Sequence, residues 1–266
     1  MNILVCAKQV PDTAEIKIDP VTNTLIRAGV PSIVNPFDTN ALEAAVQLKE
    51  AHGGSVTVIS MGPDQAKVAL KECLSVGADK AVLISDRLFG GSDTLATSYI
   101  LATAIKKLGT FDLILCGKQA IDGDTGQVGP EIAEHLGIAQ LTFVAKIEMK
   151  GDTISVHREH EQGYEIIEAK IPVVCTVLKS INEPRYASVK SKMAANKATI
   201  EVLTAADLPE LDVTKIGLKG SPTRVRKTFT PPRKDSGIKI QESTDRESAL
   251  KFIEKLVVAK LLNRGC

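Results

Sequence analysis

The sequence predicts an α/β protein: a doubly wound, mostly parallel sheet in three αβα layers, with an added antiparallel meander and an extended C-terminal arm ending in a helix. Three observations carry this. Short apolar runs alternate four times with helix-spaced segments over short connections, the pattern of a parallel sheet with right-handed crossovers. From Leu141 the period changes to strands separated by hairpin turns. Beyond Ser180 long apolar runs stop and prolines gather at Pro184, Pro209, Pro222, Pro231 and Pro232. The chain then divides into an α/β domain over 1–180, a loop and extended arm over 181–240, and a closing helix within 241–266.

Taken in order, Asn2–Ala7 is a short apolar strand that runs into Lys8-Gln9-Val10-Pro11-Asp12. Two alternating runs, Ile16/Ile18 and Leu25/Ile26, suggest a small hairpin within 13–30. Asn35-Pro36-Phe37-Asp38 opens a helix with Asp38 as its N-cap, and Leu42, Ala45, Val46 and Leu48 lie on or near one face. Gly53-Gly54 stops it. Val56–Ser60 is the second buried strand, and Asp64 caps a helix carrying Val68, Ala69 and Cys73. Ala81–Ser85 is the third strand, followed after Gly90-Gly91-Ser92-Asp93 by a helix with Leu95, Tyr99, Ala102 and Ile105. The fourth unit is Leu113–Cys116, a loop from Gly117 to Gly129, and a helix with Pro130 in its first turn, where the missing N–H costs little. The meander is Phe143–Met149, Thr153–Glu159 and Tyr164–Ile171, and Pro172–Val177 is one more apolar strand. Thr244-x-x-Glu247 is a capping box for a last helix whose stripe is Leu250, Ile253, Leu256, Val257 and Leu261. A helix at the end of such an arm calls for a partner surface.

Composition narrows the class. With 44% apolar and 24% charged residues in 266, the chain is of soluble globular type, and a net charge of +1 excludes a bulk nucleic-acid binder. Aromatic residues are 3% with no Trp, which speaks against an aromatic platform for RNA or sugar. Cys6, Cys73, Cys116 and Cys175 sit in apolar contexts without a CxxC pair and read as reduced core thiols, with Cys266 a free tail thiol. No apolar run reaches the ~18–20 residues of a membrane span, and no signal-peptide pattern precedes the first strand. The expectation is a cytoplasmic protein.

The junctions after Ala7, Ser60, Ser85 and Cys116 all fall at the carboxyl ends of strands, where ligands bind in such sheets. The fourth is the richest. A strand that stops in a glycine loop and reopens as a helix presents free backbone N–H groups at a positive helix end, a ready site for a nucleotide phosphate. Gly117, Gly123, Gly126 and Gly129 let the backbone approach an anion, and Thr125 and Gln127 can donate to it. Asp122 and Asp124 would repel phosphate, so they brace the loop through backbone N–H bonds or meet ribose hydroxyls. The competing reading of this stretch is a tight solvent turn that caps the helix. No GxGxxG follows the first strand and no GxxxxGK[ST] occurs. Gly90–Thr94 has only a loose likeness to the loop of ATP pyrophosphatases. His157 and Glu159 share a strand face while His160 points away, and His52 and His135 fall on surface helices, so no metal site and no hydrolytic triad is expected. Chemistry carried by a cofactor fits better.

Cys6–Thr13 (CAKQVPDT), Asn35–Asp38 (NPFD), Gly117–Pro130 (GKQAIDGDTGQVGP) and Asn182–Val189 (NEPRYASV) together resemble the electron-transfer flavoprotein beta subunit family, in order and over essentially the whole chain. Gln162 and Cys175 depart from the family's strand signature, away from the nucleotide loops. The resemblance implies an adenine-nucleotide-binding domain in contact with Cys6, Asn35, Pro36, Phe37, Asp38 and Met61. It also implies contact along the loop of Gly117, Lys118, Gln119, Ala120, Ile121, Asp122, Gly123, Asp124, Thr125, Gly126, Gln127 and Val128. Ordinary members hold AMP there; the electron-bifurcating type holds FAD, and the sequence Asp122–Pro130 resembles that type. The residues themselves leave AMP and FAD open.

The same resemblance implies a heterodimer with an alpha subunit, around which the arm and helix wrap. It implies a recognition loop for an acyl-CoA or 2-hydroxyacid dehydrogenase over Arg185–Met193, involving Arg185, Tyr186, Val189 and Met193, with Val189 as its aliphatic knob. Glu159 would face the mobile flavin domain of the alpha subunit. NADH is then the electron donor and a ferredoxin or flavodoxin the second acceptor. No catalytic side chain of the chain's own is implied. A nucleotide binder of ATP-consuming or stress type on the same sheet is the reading from another class, and it leaves the arm unexplained.

Overall fold

The computed structural model describes residues 1–12, 31–226 and 237–262. The chain forms two compact units, Met1–Thr228 and Phe229–Cys266. In the first, β1 (Asn2–Cys6) leads into a small ladder of β2 (Gln9–Pro11) and β3 (Ser32–Val34), paired antiparallel. The hairpin expected within 13–30 lies outside the described residues. Next come α1 (Pro36–His52), β4 (Ser55–Met61), α2 (Lys67–Ser75), β5 (Lys80–Ile84), α3 (Thr94–Leu108), β6 (Leu113–Gly117) and α4 (Val128–Leu136). The meander is β7 (Ala139–Lys150), β8 (Thr153–His160) and β9 (Gly163–Lys170), followed by β10 (Val173–Val177), α5 (Val189–Lys197), β11 (Glu201–Leu203) and the short α6 (Gly217–Gly220).

The main sheet among the described residues runs β11-β5-β4-β1-β6-β10-β7-β8-β9. Its members from β11 to β7 are parallel, and β8 and β9 are antiparallel additions. β7 serves both parts, parallel to β10 at its start and antiparallel to β8 beyond a register shift. Phe143 adopts φ 56° near that shift. The fold class is the expected mixed α/β. Alternation along each strand builds the layers. Ile3 and Val5 pack with Ala41 and Leu42 of α1 and Leu70 of α2. Leu4, from the opposite face of the same strand, packs with Ile100 of α3 and Ile132 of α4. Strands buried on both faces must be apolar throughout, which is why Ile3-Leu4-Val5 and Leu113–Cys116 read as unbroken runs.

Details of several elements correct the sequence reading. Pro36 occupies the first position of α1, so Asn35 is the N-cap and Asp38 lies within the first turn. Asp64–Ala66 is a separate 3₁₀ turn, and α2 buries Leu70 where Val68 was expected, Val68 being exposed. Leu95 at the start of α3 also faces outward. His135 is half-buried, its ring edge-on to Tyr99 with centroids 5.6 Å apart. Residues 181–226 were expected to form an arm, but they add α5 against α2 and β11 beside β5, and they bury Leu208 and Ile216. Their apolar groups are single anchors spaced far apart, which gives no periodic signal.

The second unit contains α7 (Asp245–Val258), with Thr244 accepting from the Glu247 N–H (3.3 Å). Of the expected capping box only this half is formed. Leu250, Phe252, Ile253 and Val258 are exposed on it. Lys227–Lys234 and Cys266 lie outside the described residues. No helix among the described residues is long and apolar enough to cross a membrane.

Candidate functional site

The chain winds outward from β1 through β4 to β5, then returns to β6 on the other side of β1. Between β1 and β6 the winding reverses, and in such sheets the crevice beyond this point binds ligands. A cavity of about 530 Å³ lies here, at the carboxyl ends of β1, β4 and β6. This is an ordinary size for a small-molecule site.

The expected site residues divide into a lining set and a supporting set. Cys6, Asp38 and Met61 line the cavity, as do Gly117–Ala120, Asp122, Gly123 and Thr125–Val128. Asn35, Pro36, Phe37, Ile121 and Asp124 do not belong to the lining. Asn35 is fully buried behind the loop: its Nδ2 donates to Gln119 O (2.8 Å), and its Oδ1 accepts from Ile121 N (3.2 Å). Asp124, with φ 50°, accepts from Gln119 Nε2 (2.8 Å). Asp122 is ion-paired to Lys8 Nζ at 2.7 Å. Both loop carboxylates are thus held within the fold, by the side chains of Lys8 and Gln119 where backbone N–H partners were expected.

Two glycines are required by close approach. A Cβ on Gly117 would lie 2.6 Å from Phe37 Cβ, and one on Gly129 would lie 2.5 Å from Thr176 Cγ2. Gly123 in contrast has open space where a side chain would be. The loop is packed tightly at its two ends and open in the middle, and it delivers the chain into the N-terminal turn of α4. A backbone cradle of this kind fits the phosphates of a nucleotide.

Asp38 ties the two sides of the crevice together. Its Oδ2 accepts from Lys8 N (2.8 Å) and its Oδ1 from Gly117 N (3.1 Å). Burial pushes its carboxyl up to about 7, against the Lys8 and Gly117 N–H groups, the Asn35 side chain and the Lys8 charge, all of which favour the ionised form. Cys6 and Cys116 are register partners on adjacent strands. The neighbouring Cys116 thiol, then burial, push the Cys6 thiol well up, away from the thiolate form.

The loop after the third strand, expected at the ligand end of the sheet but not among the named site residues, contributes Gly91–Thr94 to the same wall. The Thr94 hydroxyl lies 3.0 Å from Gln127 Oε1 and 3.2 Å from Glu131 Oε1 and donates to one at a time. Asp93 caps α3 through Ala96 N (3.1 Å) and accepts from Thr223 N (3.0 Å) and Oγ1 (2.8 Å). Position after a strand end was the signal available for this loop.

The expected docking residues lie elsewhere on the first unit. Arg185 is held by Glu43 (Nε–Oε2, 2.8 Å) and Glu50 (NH1–Oε1, 2.6 Å) on α1. Burial works to raise the Glu43 carboxyl, and hydrogen bonds from Arg185 and Gln47 outweigh it and hold it below the usual range. Arg185 therefore fastens the loop. Beyond it Tyr186 (99%), Val189 (79%) and Met193 (59%) stand exposed. Glu159 is exposed on β8, 3.5 Å from the Ser180 hydroxyl. Among the described residues no group of three or more metal-ligating side chains occurs.

Comparison with known proteins decides the family. The electron transfer flavoprotein domain matches residues 22–208. The chain is 55% identical to the electron transfer flavoprotein subunit beta of Megasphaera elsdenii, over 98% of this chain and 100% of that one. It belongs to the electron transfer flavoprotein beta-subunit family. It is also 50% identical to the caffeyl-CoA reductase-Etf complex subunit CarD of Acetobacterium woodii (96% and 98% covered). Protein FixA of Azorhizobium caulinodans is 50% identical as well (87% and 85% covered). As a member of this family the chain takes part in electron transfer beside an alpha subunit.

Proposed function

We propose that this beta subunit belongs to an electron-bifurcating complex and holds an FAD in the crevice between β1 and β6. The supporting observation is the loop itself: braced at Asp122 and Asp124, close-packed at Gly117 and Gly129, and open at Gly123, where a pyrophosphate needs room. The likeness to CarD and FixA adds weight, since CarD is named as part of a reductase complex. Bound here, an FAD would supply the chemistry that links a two-electron donor, NADH, to one-electron delivery toward a ferredoxin or flavodoxin and, by way of the alpha subunit, toward an acyl-CoA or 2-hydroxyacid dehydrogenase.

The chain's own residues bind and orient. Backbone N–H groups of the loop and of the first turn of α4 would hold the phosphates, favoured by the positive helix end. Thr125 and Gln127 add neutral donors, and Lys8 neutralises Asp122, so that carboxylate does not repel the anion. Cys6 and Met61 supply apolar wall at the strand ends. With no side chain acting as acid, base or nucleophile, the chain's contribution is placement and electrostatics. The alternative within the family is a structural AMP in the same crevice. Anaerobic addition of NADH to the purified heterodimer tests the proposal: it should bleach one flavin fully, and a spectrum unchanged by NADH would refute it.

A further inference from the structure

An asparagine at a helix N-cap ordinarily accepts a hydrogen bond from the first turn of its own helix. Asn35 does not. Its side chain makes no capping bond; its backbone carbonyl alone takes the Asp38 N–H (2.8 Å) and Thr39 N–H (3.0 Å). The amide group reaches across to the loop after β6, donating to Gln119 O and accepting from Ile121 N, 84 and 86 residues away. Two bonds to alternate residues of one strand of chain imitate the pairing that a neighbouring β-strand would give. Asn35 has no exposed surface and is absent from the cavity lining, so it acts from behind the loop.

We propose that Asn35 is a positioning residue for the nucleotide loop: it holds Gln119–Ile121 in the shape that presents Asp122–Val128 to the ligand, without touching the ligand. This rests on the reading of the crevice as an adenine-nucleotide site. A carboxamide is needed because the loop offers one acceptor and one donor, and only a group carrying one of each satisfies both. A carboxylate at the same place keeps the acceptor and sets a negative oxygen against the Gln119 carbonyl. A neutral carboxylic acid restores the donor.

Asn35→Asp therefore has a signature that a general loss of structure would not produce. The probes are AMP and FAD, bound by the nucleotide-free full chain of wild type, Asn35→Asp and Asn35→Ala at about pH 5 and pH 8. FAD phosphates are diesters and keep their charge across this range. Asp38 on the same turn, whose carboxyl the Asn35 side chain influences, and the Lys8–Asp122 pair are the charged groups around position 35. Because a second carboxyl at 35 would couple to Asp38, Asn35→Asp is also measured in an Asp38→Asn background, with Asp38→Asn alone as its reference. At pH 8 Asn35→Asp should bind both ligands about tenfold or more weakly than wild type, and at pH 5 within about threefold. Asn35→Ala should be weak at both, with faster amide hydrogen exchange over 117–124. A deficit for Asn35→Asp that is equal at the two pH values, or none at pH 8, overturns the proposal. So does unchanged exchange in Asn35→Ala. If wild type binds neither AMP nor FAD, the nucleotide reading fails instead, and the exchange rates still decide whether Asn35 shapes the loop.

Discussion

Asp38 holds the ends of β1 and β6 with one carboxylate, and burial makes that expensive. Its folded-state value of about 7 lies above the ordinary 3.8. Between roughly pH 4 and 7 the folded chain binds the Asp38 proton more often than the unfolded chain does, so stability from this group declines as pH rises through that window. Asp38→Asn removes the titration. Wild type should lose stability relative to Asp38→Asn by an amount on the order of 1 kcal/mol per pH unit across the window, flattening above about pH 7. Urea unfolding of both proteins at pH 4.5, 6 and 8 measures this, and parallel profiles would contradict it. The sequence pointed to the first turn of α1 but exchanged the roles within it. Asn and Asp are equally good N-caps by preference. Pro36 decides between them, because it occupies the first helical position and leaves the cap to Asn35. That Asp38 then turns toward Gly117 depends on a residue 79 positions away, which no local pattern records.

The elements that were legible are those whose local pattern and burial agree. β1, β4, β5 and β6 are apolar on both faces, and α3 and α4 carry an apolar side between caps that can be read directly, such as Asp93. β11 is a three-residue edge strand, and α5 buries only Ala195 among its nine residues, so neither has a period to detect. What α5 leaves uncovered is informative. Arg185 is committed to Glu43 and Glu50, and the first turn of α5 then raises Val189 into solvent beside Lys190 and Lys192. We propose that this apolar knob, set among positive charges, docks an acidic partner with a small pocket. Val189→Glu should slow electron delivery to the dehydrogenase by about tenfold or more while leaving flavin reduction by NADH unchanged. Stopped-flow measurement of the two steps separates them, and equal loss in both would remove Val189 from docking.

At the scale of the whole molecule, the strand-end junctions expected to form the site do meet, because parallel winding places every such junction on one edge of the sheet. The crevice itself could be located from sequence for that reason. The reach of the first unit could not, since residues 181–226 join it by isolated contacts such as Leu208, Ile216 and the Asp93–Thr223 bonds. In the second unit Leu250, Phe252, Ile253 and Val258 of α7 are exposed, consistent with a chain that has an alpha subunit as its partner. The central proposal is that the crevice holds a flavin. Counting the nucleotides released on denaturing the purified heterodimer tests it most directly. The account predicts two FAD per heterodimer and no AMP; one FAD with one AMP would contradict it.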